Sequence, residues 1–173
     1  MAAVVWIAPS LRGGGSPSPA QPSQSNGAIP LPDNAFALTV EHVYDGDTIR
    51  AVAEKPNELI PTRDPVRVRL IGIDTPEGTP TVECWAEEAR DHLRELLPEG
   101  STVWAAADRE PRDRYDRALL YLWTDDGTFI NQELVAAGDA VAIRVGRNDA
   151  HYELLVAAQR SAEDARAGRW GAC

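Results

Sequence analysis

The sequence predicts an α+β fold, an OB-fold: a small, partly open five-stranded β-barrel with about three helices. Three observations predict it. Five short stretches of apolar and β-branched residues read as strands. One helical repeat follows the third of them, and two more helical segments lie towards the C-terminus. A length of 173 residues with 43% hydrophobic content is enough for one domain with a sizeable core and argues against two. Strand order alone leaves other small barrels open.

The elements follow in order. Residues 9–33 are dominated by Pro, Ser, Gly, Gln and Asn, which cannot bury enough apolar surface to offset ordering entropy. Residues 1–33 are therefore expected to be a disordered leader and linker, and 34–173 the folded domain. The apolar N-terminal A-A-V-V-W-I-A-P reads either as the remnant of a signal-peptide core or as a plain tail. Phe36, Leu38, Val40 and His42 alternate with Ala37, Thr39 and Glu41, giving a first strand. Asp45-Gly46 marks a tight turn, and Thr48 to Ala53 returns. Lys55 to Pro65 carries three prolines and reads as a loop. Val66 to Asp74 is the third strand.

Trp85, Ala89, Leu93, Leu96 and Leu97 recur at helical spacing, with Pro98 and Gly100 as the stop. Thr102 to Asp108 is a fourth strand, Arg109 to Arg117 a charged loop and Ala118 to Trp123 a fifth strand. Asp126-Gly127 turns the chain into Thr128 to Ile130. Asn131 can cap a short helix ending at Gly138. Val141 to Val145 is extended. Asn148 or Asp149 can cap a last helix, with Tyr152, Leu155, Val156 and Ala162 on its buried face and Gly168 at its end. Trp170 is expected to pack back on the barrel.

Charge bounds the function. The net charge of −10 argues against a broad, non-specific nucleic-acid coat but leaves room for a local cationic cleft. Lys55 is the single lysine, so the positive charge is almost all arginine, whose planar fork suits bidentate phosphate contacts. No stretch approaches the ~20 apolar residues of a membrane span. Cys84 and Cys173 form no zinc pattern; they are either one disulfide between the first helix and the C-terminus or two free thiols.

Three local signals carry chemistry together. Asp45-Gly46-Asp47-Thr48 taken alone is a hairpin turn. Arg69 with Asp74, Thr75 and Glu77 closes the third strand. An ideal strand would point residues 69 and 74 to opposite faces, so a bulge near Gly72 is required to bring them together. Arg112 to Arg117, R-D-R-Y-D-R, stands at the entrance to the fifth strand. Carboxylates gathered on one barrel edge repel: a pair about 4 Å apart costs on the order of 4 kcal/mol at an effective dielectric near 20. A cation or a proton must relieve that, and hard oxygen donors favour calcium or magnesium over zinc. A metal, a carboxylate base and two arginines are the needs of phosphodiester hydrolysis.

D-G-D-T, then R-L-I-G-I-D-T-P-E, then D-R-Y-D-R, in that order, resembles the thermonuclease (staphylococcal-nuclease-like) family from about Thr39 to Trp170. The resemblance implies the same barrel with three helices and a Ca2+-dependent phosphodiesterase. Such an enzyme would hydrolyse single-stranded or locally open DNA or RNA to 3′-phosphate ends. It implies Asp47, Asp74 and the Thr75 carbonyl as Ca2+ ligands, with Asp45 supporting them from behind. Glu77 would orient or deprotonate the attacking water, and Arg69 and Arg117 would grip the phosphate. Tyr115 would hydrogen-bond near a terminal phosphate, with Arg114 as a basic neighbour. Cys84 and Cys173 look like the internal disulfide of exported bacterial members, which implies a secreted or cell-surface protein; a monomer is expected. Three departures stand out. The loop before Val66 is longer than the family minimum, Asp116 replaces a glycine, and Ile143 and Val145 replace two nucleotide-flanking tyrosines. The rival reading is a non-catalytic OB-type module that binds nucleic acid or protein. Loss of a site residue would mark such a module, and all six are present.

Overall fold

The computed structural model describes residues 29–173. The expected leader therefore lies mostly outside the described residues. Ile29 already belongs to the packed chain: it lies against the core, and its carbonyl accepts the Trp123 indole N–H at 3.0 Å.

Five strands close a barrel in the order β1-β2-β3-β6-β5. They are β1 (Phe36–Val43), β2 (Thr48–Ala53), β3 (Val66–Leu70), β5 (Thr102–Ala106) and β6 (Ala118–Thr124). Neighbours are antiparallel except β3 and β6, which run parallel with Val68 opposite Ala118 and Arg69 opposite Leu119. Closure leaves the barrel without a free edge. A two-stranded ribbon, β4 (Ile73–Asp74) with β7 (Val141–Ala142), stands beside it. Three helices follow the expected order: α1 (Ala86–Leu96), α2 (Ile130–Ala136) and α3 (Tyr152–Ala165). A one-turn α4 (Arg169–Ala172) ends the chain.

The alternating pattern explains the core. Leu38 and Val40 of β1, Ile49, Ala51 and Ala53 of β2, Val68 and Leu70 of β3, and Leu120 and Leu122 of β6 turn inward and are buried. Each large aliphatic side chain so buried is worth roughly 1.5–3 kcal/mol against exposure. Trp123 is buried and stacks on Phe129 at 4.9 Å between centroids.

Local cap signals were overridden in two places. Asn131 does not cap α2; Phe129 occupies that position without a side-chain cap. The Asn131 side chain is buried instead, donating to the Ile71 carbonyl at 2.8 Å and accepting from the Leu122 N–H at 3.0 Å. It thereby bridges β6 to the turn that follows β3. Neither Asn148 nor Asp149 caps α3. Asn148 clasps the Glu110 backbone with two 2.8 Å bonds, and Asp149 pairs with Arg109 and Arg144. The helix stops at Arg166, in left-handed conformation (φ 52°), two residues ahead of the expected Gly168.

Candidate active site

The third strand does break at Gly72. β3 ends at Leu70, Ile71 and Gly72 turn, and β4 resumes at Ile73. Gly72 has φ +79°, a conformation that suits glycine, and a Cβ there would lie 2.7 Å from Leu155 Cδ1. The turn reverses the side-chain alternation, so Arg69 and Asp74 face each other. The Arg69 Nη2 donates to Asp74 Oδ1 at 2.6 Å.

Asp47 reaches the same guanidinium from the turn just before β2. The β2–β3 pairing sets Thr48 opposite Arg69, and the Leu70 N–H bonds the Asp47 carbonyl at 2.8 Å. That register delivers the Asp47 carboxylate, 5% exposed, into an ion pair with Arg69 Nη1. Asp47 also accepts from the Thr75 N–H at 2.9 Å, the Thr75 hydroxyl at 3.0 Å and the Thr48 hydroxyl at 3.1 Å. Asp45 holds the turn by accepting the Asp47 N–H at 3.1 Å. The turn presses against its neighbours: a Cβ on Gly46 would meet Thr75 Cγ2 at 2.8 Å and Ala89 Cβ at 3.0 Å. Helix α1 is therefore the floor under the acidic corner.

Burial drives the Asp47 carboxyl up to about 7; Arg69 opposes that push and the Asp45 charge adds to it. Glu77 lies in the exposed loop after Thr75. What burial it has, then the Asp45 and Asp74 charges, raise its carboxyl above the ordinary value, with Arg69 pulling the other way. Asp45, Asp47, Asp74 and Glu77 thus form one crowded negative field around Arg69. Asp47 and Asp74 converge on a single point now held by a guanidinium, and the Thr75 carbonyl adjoins it in sequence. This donor set, all hard oxygen, suits a hard divalent cation, calcium or magnesium. Among the described residues, no group of three or more His, Cys, Asp or Glu side chains is arranged to hold a metal by itself.

Arg117 enters from the other side. The parallel β3–β6 pairing places the start of β6 beside β3. Arg69, Asp74 and Arg117 line one pocket of about 270 Å³, together with Asp113, Leu119, Ile143, Val145 and Asn148. Asp113 anchors Arg117, accepting its Nε–H at 2.7 Å and its backbone N–H at 3.0 Å. Burial opposes ionisation of Asp113, but the Arg117 and Tyr115 donors outweigh it and leave the carboxyl below its ordinary value. Tyr115, 64% exposed, carries Arg114 over its ring at 4.7 Å and accepts the Arg114 Nη2–H at 2.6 Å.

Two anchors escaped the sequence reading. Asp113 was part of a charged run, although its position four residues before Arg117 is the spacing of a one-turn bridge. Glu83 frames Glu77: the Glu77 N–H donates to Glu83 Oε2 at 3.0 Å, and the Glu83 N–H returns to the Glu77 carbonyl at 2.9 Å. Cys84 follows directly and is bonded to Cys173, with Cα atoms 6.1 Å apart. The loop bearing Glu77 is thereby tied to the C-terminus.

The family model described as staphylococcal nuclease homologue matches residues 67–172, a span that holds Arg69, Asp74, Thr75, Glu77 and Arg117. The chain is 36% identical over 135 residues to a thermonuclease of Staphylococcus intermedius, covering 76% of this chain and 74% of that one. A thermonuclease of Staphylococcus hyicus is 32% identical over 141 residues, covering 79% and 77%. An uncharacterized endonuclease of Escherichia coli O157:H7 is 32% identical over 131 residues, covering 76% and 74%.

Proposed function

The chain belongs to the staphylococcal nuclease family, and on that premise we propose that it is a Ca2+-dependent nuclease cutting DNA, RNA or both to 3′-phosphate ends. The observation that carries the reading is the single pocket lined by Arg69, Asp74 and Arg117, with buried Asp47 on the same guanidinium as Asp74. Two guanidiniums facing one cavity suit a phosphodiester, whose negative charge grows as phosphorus becomes five-coordinate. The relatives' names, thermonuclease and endonuclease, support the same substrate class.

Asp47, Asp74 and the Thr75 carbonyl would hold the ion. Bound there, it would neutralise a non-bridging phosphate oxygen and favour a nucleophilic water. Glu77 would orient that water and accept its proton. The water oxygen bonds to phosphorus, the bond from phosphorus to the 5′-oxygen breaks, and that oxygen takes up a proton from solvent. The phosphate stays on the 3′-oxygen. Arg69 and Arg117 hold the phosphate throughout, Arg117 in the orientation set by Asp113. Tyr115 and Arg114 lie beyond Arg117 and suit the next phosphate.

The Cys84–Cys173 bond supports an extracytoplasmic location, because such bonds persist in oxidising compartments. The test is digestion of single-stranded DNA and RNA with Ca2+, with and without a chelator, followed by end-group analysis. Cleavage that needs Ca2+ and leaves 3′-phosphates is expected. Calcium-independent cutting, or none with any divalent metal, defeats the reading.

A further inference from the structure

A second groove opens beside Tyr115 and shares no lining residue with the pocket just described. It measures about 360 Å³ and lies between the β2–β3 loop (Ile60, Pro61, Thr62, Pro65) and the loop of Arg112, Tyr115 and Asp116, with Arg67 of β3 beside them. The first wall belongs to the long loop before Val66. Arg112 ties the walls together, donating to the Leu59 carbonyl at 2.9 Å and to the Asp116 carbonyl at 2.9 Å. It also neutralises the Asp116 carboxylate at 3.1 Å.

On a chain of net charge −10, most described arginines lie within ion-pair distance of a carboxylate. Among the described residues, Arg63, Arg67, Arg114, Arg160, Arg166 and Arg169 do not; of these Arg67 lines the groove, and Arg63 and Arg114 directly adjoin its lining residues Thr62 and Tyr115 in sequence. Glu58 and Asp64 of the same loop make no ion pair with them. Arg67 stacks over the Tyr44 ring at 4.9 Å, as Arg114 does over Tyr115 at 4.7 Å. Arg67 and Tyr115 line the groove itself, and Tyr44 and Arg114 stand behind them as their stacking partners. The groove adjoins the active site in sequence, through Arg67 and Arg69 of β3 and through Asp116 and Arg117. Arg67 and Arg69 are alternate residues of β3 on one face, roughly 7 Å apart by strand rise. That is about one nucleotide of an extended strand. Tyr44 sits at the shoulder of the turn that carries Asp47.

We propose that this groove is a flanking-strand subsite: it takes the single-stranded nucleic acid that continues past the scissile phosphate. Arg67 and Arg63 meet its phosphates and the Tyr44 ring meets a base. The substrate class rests on the nuclease reading above. A basic groove with interleaved aromatics is how single strands are held without regard to sequence. The extra loop length before Val66 builds a wall that a shorter loop would lack.

The test is equilibrium binding of fluorescein-labelled dT3, dT12, U3 and U12 by anisotropy in chelator over a salt series. The intact chain is compared with Arg67→Gln and Tyr44→Ala, whose folding is checked by circular dichroism. The 12-mer should bind at least about tenfold more tightly than the trimer. Tyr44→Ala should reduce that advantage about fivefold or more. Arg67→Gln should make the salt slope of 12-mer binding shallower by about 0.7, one phosphate contact on a single strand. The DNA and RNA arms show which strand the groove takes. Equal affinity for the two lengths, or a length advantage and salt slope untouched by both substitutions, overturns the proposal. Cleavage of the same 12-mers with Ca2+ reads the nuclease assignment separately: binding with a length advantage but without cutting would sink that assignment and leave the groove standing.

Discussion

Asp116 has φ 62° at the tip of the loop that leads into Arg117. The family pattern has glycine there, and left-handed backbone is where glycine is at ease and a β-branched residue is not. Asp116→Gly should leave thermal stability within about 0.5 kcal/mol, the relief of backbone strain offsetting the lost pair with Arg112. Asp116→Val should lower stability by about 1–2 kcal/mol and reduce activity by displacing Arg117. Denaturant melts and initial rates check both. Arg69 makes a different demand. Its side chain is the shared partner of buried Asp47 and half-exposed Asp74. Arg69→Ala should cut kcat by about 10²–10³ through loss of transition-state charge stabilisation. It should also leave Asp47 buried without its cation, so the variant should gain more thermal stability from added Ca2+ than the parent chain does. Melting with and without Ca2+ decides that; equal gains in both proteins would exclude Asp47 as a ligand.

Elements show what could be read locally and what could not. The inward rows of β1, β2 and β3 followed from alternation, because a strand's side-chain period is fixed by its backbone. The need for a break near Gly72 followed from the same rule applied to Arg69 and Asp74. The caps did not follow. Asn131 and Asn148 are legitimate cap residues in sequence, but their side chains are drawn to backbone groups some 60 and 38 residues away. Asp113 was invisible as an anchor for a similar reason: a charged run does not say which acid turns inward. At Gly72, alanine would meet both a positive φ and the Leu155 methyl. Gly72→Ala should cost at least about 1 kcal/mol and lower activity by disturbing the Arg69–Asp74 alignment, read by melting and by rate. A second element-scale prediction concerns α1 and the turn after α2. Asp139, buried, accepts from the Trp85 indole at 2.7 Å and faces His92. The hydrogen bond to Asp139 raises the His92 pKa above its ordinary value despite partial burial, with Glu133 and Glu95 adding to it. The imidazolium is therefore favoured in the folded chain. Its stabilisation is fully present below the unfolded-state value near 6.5 and fades as pH rises through the raised folded value. His92→Gln should flatten that decline in stability above about pH 6.5, measured by denaturant melts across pH; an unchanged pH profile would contradict it.

At the scale of the whole molecule, the Cys84–Cys173 bond encloses 89 residues of sequence separation. By chain-entropy reasoning a loop of that size stabilises by about 4 kcal/mol. Its topology matters as much as its energy. Asp45, Asp47, Arg69, Asp74 and Glu77 all precede the ring, whereas Arg114, Tyr115 and Arg117 lie inside it. The ring includes the exposed arginine-rich stretch at Arg114, an open target for a trypsin-like protease. A single cut there would free no fragment. The N-terminal piece ends at the nick and the C-terminal piece begins there, yet the sulfur bridge still joins them. Limited trypsin treatment should therefore give a two-chain protein that runs as one band without reductant and as two with it. In surroundings rich in proteases, the molecule can be nicked without being dismantled.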